Sequence, residues 1–231
     1  MRVICPLSAC ASYEKRDKFF NLLSDIAKVT IQSEPRNHGY CWFESAGDNT
    51  EVPNYWVRGF EVYEDEDALD VHRDSEPYKK MRAAFASDSI LSKTTDIRFL
   101  QPTGLGFFRR TEEQVRFTKD KSLTDDTKNL IVTWDIKPQE DKQADVRKDL
   151  EQLAKHVEGN EPSAGTFWVL EYLPEFQDST IIIFSRFANT EAYNKHANTP
   201  IVKEIGVRLE SNCHSVRTTR WKENGIGFIG R

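Results

Sequence analysis

Two stretches of this chain place a histidine in the same local setting. "EVYEDEDALDVH" (61–72) and "SRFANTEAYNKH" (185–196) each end a β-like run, pass a polar turn and reach a histidine on an expected helix. Ala68, Val71 and Ser75 are expected to share the inward stripe with His72. A half-buried imidazole titrates near neutrality, so His72 suits a general base. A phenol or enol that loses its proton to such a base donates electrons to O2 readily. It then needs only a dry cavity and donors that hold the anion. The run "NYWVRGFEVYE" offers those partners. Tyr63 or Trp56 could bond a substrate oxygen or stack on a ring, and Arg58 could steady an anion. Trp56 and Arg58 fall on one strand face and Glu61 and Tyr63 on the other.

The elements that must position these residues are written twice. "LLSDIAKVTIQSEP" (22–35) recurs as "DLEQLAKHVEGNEP" (149–162). Gly39 and Trp42 match Gly165 and Trp168, Ala68 and His72 match Ala192 and His196, and "GLGFFRR" matches "GIGFIGR". The matches keep one order along the chain, the mark of an internal repeat. Each copy reads as a strand ("RVICPL", "LIVTWDI"), an amphipathic helix, a strand pair, a helical segment and a last strand ("DIRFLQ", "SVRTTRW"). The first helices bury Phe19, Leu22, Leu23, Ile26, Ala27 and Thr30, or Val146, Leu150, Leu153, Ala154 and Val157. Glu-Pro ends each of them, because proline disfavours helix in the residue before it. Lys28 and Lys155 fall off these stripes and are expected in solvent. Pro77 and Pro200 break each histidine-bearing segment into two short helices. The order is βαββαβ, the ferredoxin-like unit. "TIIIFSRF" is apolar at consecutive positions, so both its faces should be covered, the second by the other copy's sheet. The expected division is 1–110, a charged linker at 111–127, and 128–231.

Composition narrows the class. The chain has 231 residues, 38% hydrophobic and 30% charged, with a net charge of −5. No basic patch beyond "FFRR" favours nucleic acid, and no apolar run approaches the roughly 20 residues that span a bilayer. The four cysteines lack CxxC spacing, so neither structural zinc nor a disulfide framework is expected. A reducing, cytoplasmic setting is the default. The G-x-G in "GLGFF" and "GIGFI" lacks the strand–turn–helix context of a phosphate loop.

Two ferredoxin-like units carrying Glu34-Pro35, Glu61, Tyr63, Ala68, His72, Ser75 and Tyr78, then Glu161-Pro162, Ala192 and His196, resemble the antibiotic biosynthesis monooxygenase family of the dimeric α+β barrel superfamily. The tandem form resembles its fungal members. The resemblance implies an α+β fold in which two tandem units form an intramolecular barrel. It also implies a cofactor-independent monooxygenase that oxidises a quinol, anthrone or related small lipophilic molecule with O2 as co-substrate. Catalytic roles then fall to His72, Tyr63 and Trp56. Substrate binding falls to Arg58, Glu61, Trp42, Tyr78 and His196, with no metal. Haem degraders of the superfamily carry an asparagine on the first strand, and neither first strand here has one. One alternative is an oxygenase for a lipophilic acid of the jasmonate type, with Arg58 as carboxylate partner. Another is a non-catalytic small-molecule binder or interaction protein. A homodimer of the tandem unit fits the family habit. Glu61 and Tyr63 align with Ser185 and Phe187, so the first lobe is the expected site of chemistry.

Overall fold

A computed structural model of the chain describes residues 1–111, 115–117 and 128–230. The expected linker lies mostly outside them. Helices and strands alternate in the expected α+β order, and two compact units result. No described helix is long and apolar enough to cross a membrane.

Unit 1 holds Met1–Leu100, residues 115–117 and residues 221–230. Its first strand is interrupted at Cys5-Pro6, giving β1 (Arg2–Ile4) and β2 (Leu7–Ser8). Helix α1 (Tyr13–Ser33) starts where the Ser12 side chain accepts from the Lys15 N–H, and its buried stripe is Phe19, Phe20, Leu23, Ile26, Ala27 and Thr30. Leu22, expected on this stripe, is only partly buried, and Phe20 takes its place. Strands β3 (Asn37–Ser45) and β4 (Val57–Tyr63) form an antiparallel pair, and every residue of β4 is buried. Helix α2 (Glu66–Asp74) is capped by Asp65, whose carboxylate accepts from the Ala68 N–H. Ser75 ends α2 and also caps α3 (Glu76–Ser87), in which Pro77 occupies the first turn. The break is therefore built by one serine with proline behind it. Val71, expected to face inward, is 58% exposed. Its neighbour His72 takes the inward position, and adjacent helical residues face different ways.

The strand β5 (Phe99–Phe107) opens in unit 1, where Leu100 pairs with Val3, and continues from Gln101 as part of unit 2. Between the units' main segments, the short strand β6 (Val115–Arg116) pairs with residues 228–229.

Unit 2 holds Gln101–Thr111 and residues 128–220. It repeats the plan as β7 (Leu130–Pro138), α4 (Gln143–Asn160), β8 (Ala164–Tyr172), β9 (Ile181–Phe187), α5 (Thr190–Ala197) and α6 (Pro200–Asn212). The expected α4 stripe is buried in full, joined by Asp149. Lys28 and Lys155 point outward, paired with Asp25 and Glu151. The apolar run of β9 is buried from Ile182 to Ser185. The last strand, β10 (Cys213–Ile229), belongs to unit 2 up to Arg220 and to unit 1 from Trp221, where it pairs with β3.

The compact units thus differ from the division at 110 and 128. The strand that closes each sequence repeat contributes its second half to the other unit. The repeated G-x-G serves this arrangement. Gly227 (φ +97°) brings its backbone so close to β3 that a Cβ would sit 1.8 Å from the Tyr40 carbonyl oxygen. At Gly106 (φ +77°) a Cβ would sit 2.0 Å from the Phe167 carbonyl oxygen. Only glycine fits at either place.

The ladders also revise the repeat alignment by one residue. In β3, Trp42 lies opposite Gly59, whereas in β8 Trp168 lies opposite Phe184. Since Gly59 corresponds to Ile183, the counterpart of Trp42 is Val169, not Trp168. A one-residue slip reverses the face of a strand residue. Trp42 accordingly packs against Phe19 of α1, while Trp168 packs against Phe108.

Candidate active site

The end of α1 and the inner face of α2 meet over β3 and β4. Glu34 ends α1, its N–H donating to the Thr30 carbonyl, and its side chain reaches α2. Glu34 Oε2 lies 2.8 Å from His72 Nδ1, and Thr30 Oγ1 lies 3.4 Å from the same nitrogen. Glu34 is 5% exposed and His72 is fully buried. A carboxylate can only accept, so Nδ1 carries the hydrogen of this bond, and in a neutral ring the lone pair falls to Nε2. His72 Nε2 is buried and makes no hydrogen bond among the described residues. The rings of Tyr40, Tyr63 and Tyr78 stand 5.0, 5.5 and 5.4 Å from the imidazole.

A cavity of about 70 Å³ opens beside this histidine, lined among others by Phe19, Trp42, Glu61, His72, Tyr78 and Phe85. Glu34, on the Nδ1 side of the ring, does not line it. Glu61 Oε2 accepts from the Tyr63 hydroxyl at 2.8 Å. Burial pushes the Glu61 carboxyl above its ordinary range, against the opposing pull of His72 and the Tyr63 hydrogen bond. Burial, with the Glu61 charge next, also holds the Tyr63 phenol well above 10. The site therefore sets an oriented imidazole and a carboxyl whose pKa burial raises around one small, mostly apolar space.

The expected site residues divide by strand face. His72, Glu61, Trp42 and Tyr78 line the cavity. Tyr63 stands behind Glu61 and is fully buried. Trp56 precedes β4 and carries Lys93 Nζ 4.3 Å above its ring, away from the cavity lining. Arg58 points to the opposite face of β4, with its guanidinium 5.5 Å from the Trp221 ring and 3.9 Å from Cys5 Sγ. Neither Trp56 nor Arg58 joins this cavity, because a strand turns alternate residues to opposite faces. In the sequence Glu34 marks a helix end and part of the family resemblance, with no role of its own at the site. Its repetition with His72 at Glu161 and His196 was the signal that the two form a pair.

In unit 2, His196 Nδ1 lies 2.8 Å from Glu161 Oε2 and packs among Phe167, Phe187 and Tyr193. His156 Nε2 approaches the other oxygen of Glu161 at 3.5 Å. Two cavities of unit 2, beside α4 and beside α6, are not lined by His196. The Glu–His pair thus ties helix to helix in both units, and borders a cavity in unit 1. No group of three or more potential metal ligands gathers among the described residues, and all four cysteines are buried and free of disulfides.

Structures of the same fold extend over almost the whole chain. A provisionally assigned monooxygenase from Lactobacillus acidophilus superposes with a TM-score of 0.72 at 12% identity, covering 99% of this chain and 97% of its own. A provisionally assigned monooxygenase from Fusobacterium nucleatum gives 0.73 at 12% identity, covering 100% and 94%. An anthrone oxidase-like protein gives 0.58 at 12% identity, covering 96% and 90%. No curated protein matches the chain in sequence. The family model for antibiotic biosynthesis monooxygenase matches residues 11–84 and 129–206, one segment in each repeat. With both repeats matched, the chain belongs to the antibiotic biosynthesis monooxygenase family.

Proposed function

We propose that unit 1 is a monooxygenase site for a small aromatic or enolisable substrate, with His72 as general base. The observation that carries this reading is the buried, unpartnered His72 Nε2 beside a cavity, its tautomer set by Glu34. His72 removes a proton from an activated CH2 or a phenol. The resulting anion gives one electron to O2, and the radical pair combines to a peroxide. Glu61 supplies the proton that makes the hydroperoxide, which loses water. For an activated methylene the balance is R2CH2 + O2 → R2C=O + H2O. The electrons come from the substrate anion, so the reaction requires no flavin or metal. Phe19, Trp42 and Phe85 keep the reacting carbon in a dry setting where an anion is short of solvent and reactive. Glu34 is a positioning residue, since it acts through His72.

The test is oxygen uptake by metal-free protein with a panel of anthrones and quinols. Turnover that falls at least about a hundredfold in His72→Ala is the expected result. Full turnover in that variant, or no turnover with any member of the panel, refutes the assignment.

A further inference from the structure

Two arginines, Arg73 on α2 and Arg82 on α3, line the same cavity as His72. Arg82 makes no hydrogen bond or ion pair among the described residues. Arg73 has long approaches to acids of its own helix, 3.9 Å to Glu66 and 3.6 Å to Asp70, both exposed, and its charge also acts on Glu61 in the lining. Exposed pairs of that length contribute little, so the guanidinium stays available. The other ionisable side chains of the lining are Glu61, His72 and Tyr78. Two guanidiniums thus face a single carboxyl, whose pKa burial raises.

Unit 2 serves as an internal comparison. The N-caps Asp65 and Ser75 correspond to Asn189 and Thr199, which fixes the helical register between the units. In that register Arg73 and Arg82 become Ala197 and Gly206, Tyr78 becomes Val202, and Glu61 becomes Ser185. Unit 2 keeps its Glu–His pair, and there both arginines are gone. The helix-tying pair thus does not need the arginines, which belong to the lining of the unit-1 cavity.

We propose that the cavity selects an organic anion, an aromatic body carrying a carboxylate held by Arg73 and Arg82 while the ring lies against Phe19, Trp42 and Phe85. This deepens the reading above by naming the substrate class. It replaces Arg58 as the cation of the site. A planar fork of donors matches a carboxylate well, and the aromatic walls hold the body of the molecule.

The test is calorimetric titration of the full chain with 2-naphthoate and with its neutral analogue 2-naphthamide, in low salt. The expected result is at least about tenfold tighter binding of the acid, a preference that shrinks in high salt. In the double variant Arg73→Gln/Arg82→Gln the preference falls to within about twofold, while naphthamide binding is kept. Equal binding of the two probes, binding of neither, or a preference that survives the double substitution overturns the proposal. Binding needs no turnover, so the outcome is separate from that of the base. A His72→Asn protein without oxygen uptake that still prefers naphthoate sinks neither idea, whereas an active protein indifferent to the carboxylate sinks this one alone.

Discussion

Glu34 Oε2 and His72 Nδ1 lie 2.8 Å apart at the junction of α1 and α2, both withdrawn from solvent. The contact joins two helices and sets a tautomer with one hydrogen bond. Glu34→Ala leaves a buried imidazole N–H without its acceptor and should cost about 3 kcal/mol in urea denaturation. Glu34→Gln keeps an acceptor and should cost clearly less. If the two variants are equally stable, the contact is not holding the helices.

Unit 2 carries the same pair, with Ser185 and Phe187 in place of Glu61 and Tyr63. His196→Gln should lower stability by about 1–3 kcal/mol and leave oxygen uptake per folded molecule unchanged. A loss of turnover parallel to that of His72→Ala would mean that unit 2 takes part in the chemistry.

Gly59 faces Trp42 across the β3–β4 ladder. A Cβ there would lie 2.8 Å from Pro6 Cγ and 2.9 Å from two atoms of the indole ring. Gly59→Ala must push the indole aside, costing about 1–3 kcal/mol. The emission maximum of the protein should shift as Trp42 leaves its buried place. An unchanged spectrum and midpoint would show that the wall of the cavity yields freely.

Burial raises the Glu61 carboxyl above the value it has in the unfolded chain. Between those two values the folded protein binds more protons than the unfolded one, so stability falls as pH rises through that window. Glu61→Gln removes this titration. The melting temperature of the variant should decline less than that of the parent as pH climbs above about 4.5, the ordinary carboxyl value. Parallel curves would place the carboxyl in ordinary solvent.

The positions where glycine allows strand crossing are the most demanding in the fold. Gly227→Ala combines positive φ with a Cβ 1.8 Å from the Tyr40 carbonyl oxygen. It should cost more than the roughly 1 kcal/mol of a solvent-exposed glycine replacement and strip protection from the amides of β3 in hydrogen exchange.

Much of this was legible because periodicity reports burial. The α4 stripe, the helix breaks at Pro77 and Pro200 and the covered faces of β9 follow from spacing alone. The Glu61/Ser185 and Tyr63/Phe187 differences already pointed to unit 1. What failed turned on single-residue phase. Val71 sits one position from His72 and faces water. Trp168, one ladder position away from the counterpart of Trp42, faces elsewhere. Arg58 and Trp56 were placed on a strand without knowing which face held the cavity. Helix ends carry little periodic signal, so Glu34 was read as punctuation when its side chain was the partner of the histidine. Rim arginines obey no period at all, and only the fold brings Arg73 and Arg82 to one opening.

The pairing of Ser45 with Trp221 has a consequence for synthesis. Strand β3 is made early, but the strand that covers its edge is made after all of β7, α4, β8, β9, α5 and α6. On the ribosome, unit 1 must wait with an open sheet edge while unit 2, whose borrowed strand β5 is already present, can assemble. The order of folding should therefore reverse the order of translation, and the half made first is the one exposed longest to chaperones and to mispairing.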